Sequence, residues 1–273
     1  MKKHFLFLAM PLVAALSFAS CDKDEKEESS NGDENQNSSN QEYVDLGLPS
    51  GTLWATCNVG ATKPEEYGDY FAWGETETKE VYEDSTYKFI SSIIQDGISY
   101  KYFTKYNGSE ATDEQKTEIL LPEDDAATVN LGKEWRTPTW EEFYELLHNC
   151  CMIETNDYKG TSVHGLIFYK VKDESHKGTG VRLDAENFVI INTLANTLEY
   201  LLHSYSEKSD THIFLPAAGG IASEGTVDLS NQLVYWSSTL YGSVSHAPRI
   251  LEGFGGNGCD RTCGLPVRPI RVK

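Results

Sequence analysis

The segment TPTWEEFYELLHNCC, Thr137 to Cys151, puts Trp140, Phe143, Leu147, Cys150 and Cys151 on one helical face and Glu141, Glu145 and His148 on the opposite one. Thr139 and Glu142 stand three residues apart at its start, the spacing of a capping box, so the beginning of the helix is marked as well. A helix with one apolar face must cover that face with another element. The segments available for this are mostly short and β-prone. The expected fold class is therefore α+β, with Trp140, Phe143 and Leu147 buried against a sheet carrying Trp54 and Trp236. His148 falls on the polar face and is expected to be solvated.

A second, shorter helix is expected in LPEDDAATVNLG (121–132), where Pro122, Glu123, Asp124 and Asp125 suit the positive N-terminal end and Gly132 suits the C-cap. Strands are read from apolar and aromatic runs between turn residues. Tyr43 to Leu46 and Thr52 to Val59 flank Pro49-Ser50-Gly51 as a hairpin. Further strands are expected at Gly68 to Gly74, Val163 to Val171, Ile213 to Pro216, Val234 to Ser237 and Val267 to Val272. Segments 76–118 and 172–212 have looser patterns, and within the second Leu194 to Leu202 reads as a helical insertion. No proline-rich or serine-rich break and no solenoid repeat interrupts 41–273, so a single domain is expected there.

The chain ahead of that domain has a different character. Residues 1–20, MKKHFLFLAMPLVAALSFAS, combine Lys2-Lys3, an apolar core from Phe5 to Phe18 and small residues before Cys21, the layout of a secretory signal peptide. Residues 22–40 hold seven acids, two lysines and no hydrophobic side chain. Nothing there offsets backbone entropy, so 21–41 is expected to act as a flexible tether, with the domain at 42–273. The formal charge is −19; without the two leader lysines it is −21, and without the tether's net −5 it is −16. Such a chain offers no basic stripe to a nucleic acid and is repelled by anionic membrane surfaces.

Setting Cys21 aside leaves Cys57, Cys150, Cys151, Cys259 and Cys263, an odd number, so at least one thiol is free or paired between chains. Cys259 and Cys263 are near enough in sequence to close a small loop. Cys57 with Cys150 or Cys151 would staple a strand to a helix; a reduced, buried Cys57 is the alternative. The stretch from Tyr241 to Cys263 shows neither helical nor strand periodicity and is framed by Trp236-Ser237-Ser238 and Gly264-Leu265-Pro266. It reads either as a binding loop held by a rigid scaffold or as a tolerant surface loop. The candidate ligand contacts in it are Tyr241, Ser243, Ser245, His246, Arg249, Asn257, Asp260 and Arg261, residue types suited to an adaptable recognition surface. For Arg249 and Arg261, pairing with surface acids such as Glu252 and Asp260 is the alternative.

Six blocks, YVDLGLPSGTLWATCNVGA (43–61), GDYFAWGE (68–75), DDAATVNLGKEWRTPTWEEFYELL (124–147), IFLPAAGG (213–220), YWSS (235–238) and GLPVRPIR (264–271), resemble in order the Fib-succ-major paralogous domain. That resemblance covers nearly all of 43–273. It implies a single C-type lectin-like domain, similar to that of formylglycine-generating enzymes, with short twisted antiparallel sheets, two main helices and long loops. Phe18-Ala19-Ser20-Cys21 resembles a bacterial lipobox, implying lipid on Cys21, and the acids behind it resemble the export signal of lipoproteins facing outward from the outer membrane. The implied function is a cell-surface binding module for a glycan or a host or partner protein; the alternative is a structural or assembly subunit of a surface or fimbrial complex.

Catalysis finds less support. The spacing of Cys259 and Cys263 and the Gly-Leu-Pro that follows do not match a formylglycine-generating redox pair. His164, His176, His203, His212 and His246 lack the paired spacing of an iron site. The Glu-Pro-Asn and Trp-Asn-Asp signatures of calcium-dependent sugar binding are absent, so no cofactor or metal is expected; structural calcium is the alternative, which no motif supports. Gly253 to Gly258 fits G-x-G-x-x-G without a helix to follow it, and Glu65-Glu66 reads as a solvated turn.

Overall fold

The computed structural model describes residues 41–106, 119–172, 180–183, 188–190, 208–221, 232–240, 246–250 and 256–271. The expectations for the leader, Cys21, the tether up to residue 40, the insertion at 194–202, and Tyr241, Ser243 and Ser245 lie outside the described residues. In chain order the strands are β1 (Tyr43–Asp45), β2 (Leu53–Ala55), β3 (Tyr70–Phe71), β4 (Ile90–Gln95), β5 (Ile98–Phe103), β6 (Trp135–Arg136), β7 (Cys150–Thr155) and β8 (Gly165–Val171). They continue as β9 (Gly180–Leu183), β10 (Phe188–Ile190), β11 (Lys208–Pro216), β12 (Tyr235–Trp236), β13 (His246–Ile250), β14 (Gly256–Asp260), β15 (Leu265–Pro266) and β16 (Ile270–Arg271). The helices are α1 (Ala126–Leu131) and α2 (Trp140–Asn149). All the described residues fall in one compact unit, Gln36–Lys273.

Two helices and small sheets among the described residues make the fold α+β. The sheets run β1-β2-β16-β6, β10-β9-β7-β8-β11 and β12-β13-β14, with two-stranded pairs β15-β3 and β4-β5. Pairing is antiparallel except between β7 and β9. The first and last strands of the domain meet in one sheet, since β2 pairs with β1 at Trp54↔Val44 and with β16 at Trp54↔Ile270.

The N-terminus of α2 is built as its sequence indicates. The Thr139 hydroxyl accepts from the Glu142 N–H at 3.2 Å, and the Glu142 carboxylate accepts from the Thr139 N–H at 2.8 Å. Arg136 adds a fork onto the same carboxylate at 2.7 and 2.6 Å, a bidentate geometry that fixes β6 against the helix start. Phe143, Leu146 and Leu147 are buried, Trp140 is partly buried, and Glu141 and His148 are exposed. Phe143 meets Trp54 with ring centroids 5.2 Å apart.

The helix ends earlier than its period suggests. Cys150 is extended, at φ −109° and ψ 161°, and with Cys151 it begins β7 instead of completing the helical face. A strand buried on both sides reads as a continuous apolar run, which a short window cannot tell from a helix stripe. Six register pairs with β8 capture Cys150 to Thr155, and alternation sends Cys150 and Met152 into the core beneath α2.

The same alternation moves Trp236. Tyr235 joins the core around α2 with Trp54 and Phe143, whereas Trp236 joins a second core with Phe71, Trp73, Phe89 and Tyr106. Its indole N–H donates to the Phe71 carbonyl at 2.6 Å. The sheet residue facing α2 from β12 is thus Tyr235 and not Trp236. Burial pushes the Tyr235 hydroxyl pKa up to about 12, and that hydroxyl donates to the Pro216 carbonyl at 2.8 Å.

Of the acids before α1, only Asp125 caps the helix. Its carboxylate accepts from the N–H groups of Ala127 and Thr128 and also from Thr137 N–H and Oγ1, tying α1 to the strand-to-helix turn beyond β6. Asp124 points elsewhere, to Lys88 at 3.0 Å, to the Tyr106 hydroxyl at 2.6 Å and to Lys105. Burial alone would raise its pKa, but those hydrogen bonds hold the carboxyl below its ordinary value.

Arg268, between β15 and β16, is fully buried without a carboxylate partner among the described hydrogen bonds. Nε donates to Asn58 Oδ1 at 2.8 Å, Nη1 to the carbonyls of Ala55 at 3.0 Å and Thr56 at 2.5 Å, and Nη2 to Phe214 O at 2.8 Å. One cation therefore joins the backbone after β2 to β11, which belongs to a different sheet. Burial lowers its pKa from the ordinary arginine value.

Candidate binding surface

Strands β4 and β5 form a ribbon with the sequence ISSIIQ-DG-ISYKYF. Asp96 and Gly97 between them have φ of 54° and 79°, the left-handed pair that a two-residue hairpin turn requires and that Asp-Gly supplies. This dipeptide between β-prone runs is the sequence signal that assigns an element within the looser 76–118. Every residue from Ser92 to Tyr102 is exposed, Ile94 at 79%.

Register divides the ribbon into two faces. Ser91 stands opposite Tyr102, Ile93 opposite Tyr100, and Gln95 opposite Ile98, so these six side chains share one face. Four are large and apolar or aromatic, two are polar, and none is charged. Soluble domains seldom leave such groups clustered in water without a use.

The base of the ribbon is held firmly. Ile90 and Phe103 pack against the second core, and Lys101 on the opposite ribbon face pairs with Asp84 at 2.6 Å. Arg261, expected as a ligand contact, is completely buried here. Its Nη2 donates to Tyr106 O at 2.5 Å and its Nη1 to Lys105 O at 3.3 Å, while its guanidinium carbon lies 4.4 Å from the Phe103 ring centroid and 5.2 Å from that of Trp73. Arg261 is a brace between the chain leaving β14 and the chain leaving β5. Burial lowers its pKa. Pairing with carbonyls of residues 155 and 156 positions away left no mark by which sequence could separate it from a surface arginine.

The expectation of a non-periodic loop over 241–263 is also corrected. β13 and β14 form a hairpin, and β13 pairs with β12 through Arg249↔Trp236. Pro248 and the alternating Gly256 and Gly258 have low strand propensity, so the neighbouring strand, not composition, fixes the conformation. His246 stands opposite Asp260 and Arg249 opposite Asn257; four of the candidate contacts thus share one hairpin. Asp260 is exposed, and its Oδ1 accepts from Thr262 N–H at 3.1 Å and the Thr262 hydroxyl at 3.0 Å, which shapes the turn leading to Arg261.

Cys57 is a buried free thiol, 3.6 Å from Thr56 Oγ1, so the staple to Cys150 or Cys151 is not formed. Cys150, Cys151, Cys259 and Cys263 are buried as well. Among the described residues the histidines are dispersed: His164 Nε2 meets Glu154 at 2.8 Å, and His212 Nε2 meets the Tyr158 hydroxyl at 3.1 Å. Among the described residues no group of three or more His, Cys, Asp or Glu is placed to hold a metal ion. Glu66 accepts from Thr62 and Lys63 within its own turn, and Gly256 to Gly258 lie in a strand, not at a helix start. No protein-family model, curated protein or solved structure matches the chain.

Replacing Arg261 with methionine separates a brace from a contact. Two charge-assisted hydrogen bonds are lost from a buried site, so destabilisation of about 3 kcal/mol is expected, with faster amide exchange through β4 and β5. A change within about 0.5 kcal/mol in urea denaturation would be the behaviour of a surface residue.

Proposed function

We propose that this chain is a lipid-anchored, surface-displayed binding module of the Fib-succ-major paralogous type on a C-type lectin-like fold. It binds a glycan or a host or partner protein without catalysis. The observation that carries this reading is the Arg261 brace, which joins the bases of two hairpins. One hairpin bears Ile93, Ile98, Tyr100 and Tyr102 on an exposed face, and the other bears His246, Arg249, Asn257 and Asp260. The exposed apolar face suits recognition, with little entropy lost by ordering a ribbon already fixed at its base. Acidic surroundings and a tether beyond Cys21 agree with outer-membrane display.

The test is a glycan and protein array probed with the mature chain, with and without chelator. Binding should be chelator-insensitive and should fall at least ten-fold in Tyr100→Ala or Tyr102→Ala, both exposed, while the thermal transition stays in place. Binding that ignores both substitutions would move the site off this ribbon. Cys21→Ala should release the protein from the membrane fraction; unchanged membrane association would remove the lipid anchor.

The alternative, an assembly subunit, is favoured by one feature, a ribbon edge that pairs with no other described strand.

A further inference from the structure

We propose that the outer edge of β4 accepts an extended strand from a partner polypeptide that carries alternating apolar residues between basic flanks. This rests on the reading of the hairpin end as a binding face and specifies the kind of partner. A two-stranded ribbon is marginal in water, and three or more strands are normally needed for stability. Here β4 and β5 pair only with each other among the described strands. In an antiparallel pair every second residue turns its N–H and C=O away from its partner strand; the Ile90 N–H reaches Tyr87 O at 3.3 Å, and beyond it no other described strand meets the outward donors and acceptors of either edge.

The two edges differ in a way that selects one. On β5, Lys101 is ion-paired with Asp84, and a lysine on a strand is a common guard against further pairing. On β4 the six residues Ile90 to Gln95 contain no charge, proline or glycine, which is the composition that favours strand addition. A strand laid beside β4 would extend the face of Ile93, Ile98, Tyr100 and Tyr102 with its own alternate side chains, while main-chain hydrogen bonds set its register.

Charge selects the partner. The domain carries −16 over residues 41–273, so a second copy approaches against repulsion and a segment with basic flanks approaches with attraction. The β4 edge itself opposes neither.

The probe is a synthetic peptide of alternating valine and threonine with lysines at both ends, titrated by fluorescence polarisation into the full mature chain. Saturable binding is expected, weakened at least ten-fold by Ile94→Lys, whose side chain is already in solvent. It should also be lost when alternate amides of the peptide are N-methylated, which removes donors without altering side chains or needing a variant to fold. Equal binding of the N-methylated peptide, or indifference to Ile94→Lys, overturns strand addition. So does the absence of peptide binding. Sedimentation showing a concentration-dependent dimer that Ile94→Lys dissociates would make a second copy the occupant and overturn the partner assignment. Array binding that survives Ile94→Lys would leave the binding module standing and this edge excluded; peptide binding with a silent array would do the reverse.

Discussion

Arg268→Ala is expected to leave the chain unable to reach its native state at 25 °C. The substitution strands three buried acceptors, Asn58 Oδ1 and the carbonyls of Ala55 and Phe214, together with the partly buried Thr56 carbonyl. Each buried acceptor left without a donor costs about 1–3 kcal/mol, and the vacated guanidinium volume adds a cavity cost. Together these reach the ~5–15 kcal/mol that holds a typical domain folded. Lysine should not rescue it, because three donors on one nitrogen cannot span acceptors arranged around a planar fork. Asn58→Ala removes a single acceptor and should be milder. Circular dichroism and urea denaturation decide the matter: a cooperative transition in Arg268→Ala within about 1 kcal/mol of the parent would mean that the carbonyls find water or other donors, and that the join between sheets does not depend on this cation.

What the sequence disclosed and what it hid follow from the range over which each feature is determined. α2 was legible because its cap and its buried face are encoded within ten residues. The β1-β2 hairpin was legible through Pro49-Ser50-Gly51, where Gly51 adopts φ of 75° and its N–H closes the turn onto Leu48 O at 2.9 Å. Asp96-Gly97 carried an equally local signal for the ribbon, but within the looser pattern of 76–118 it was not read as a turn. The α2 boundary was obscured because Cys150 and Cys151 satisfy helix and strand patterns alike, and six pairs with β8 settled it. β13 and β14 are set by β12, against the propensities of Pro248, Gly256 and Gly258. The candidate site divides in the same way. His246, Arg249, Asn257 and Asp260 were named from composition and share a hairpin, but Arg261 is defined by carbonyls beyond β5. The apolar ribbon face followed from register, which a run of exposed isoleucines and tyrosines does not announce until it is paired.

Phe143→Ala is expected to cost about 3–5 kcal/mol. Phe143 is fully buried at the centre of the α2 face, beside Leu146 and Leu147 and against Trp54. A helix of ten residues anchored at its start by Thr139 and Arg136 cannot slide inward to fill the space, so the void persists and the lost contacts are not replaced. Neighbouring Tyr144, which is exposed and stacked on His148 at 3.8 Å, provides the control; Tyr144→Ala should remain within about 0.5 kcal/mol. Phe143→Leu should recover much of the loss by keeping most of the apolar volume. If Phe143→Ala unfolds at the same urea concentration as the parent, the face of α2 that supports the sheet is not the one bearing Phe143. If Tyr144→Ala is instead the costly change, the helix packs through its opposite side, and the placement of β7 and β8 beneath it would have to be redrawn.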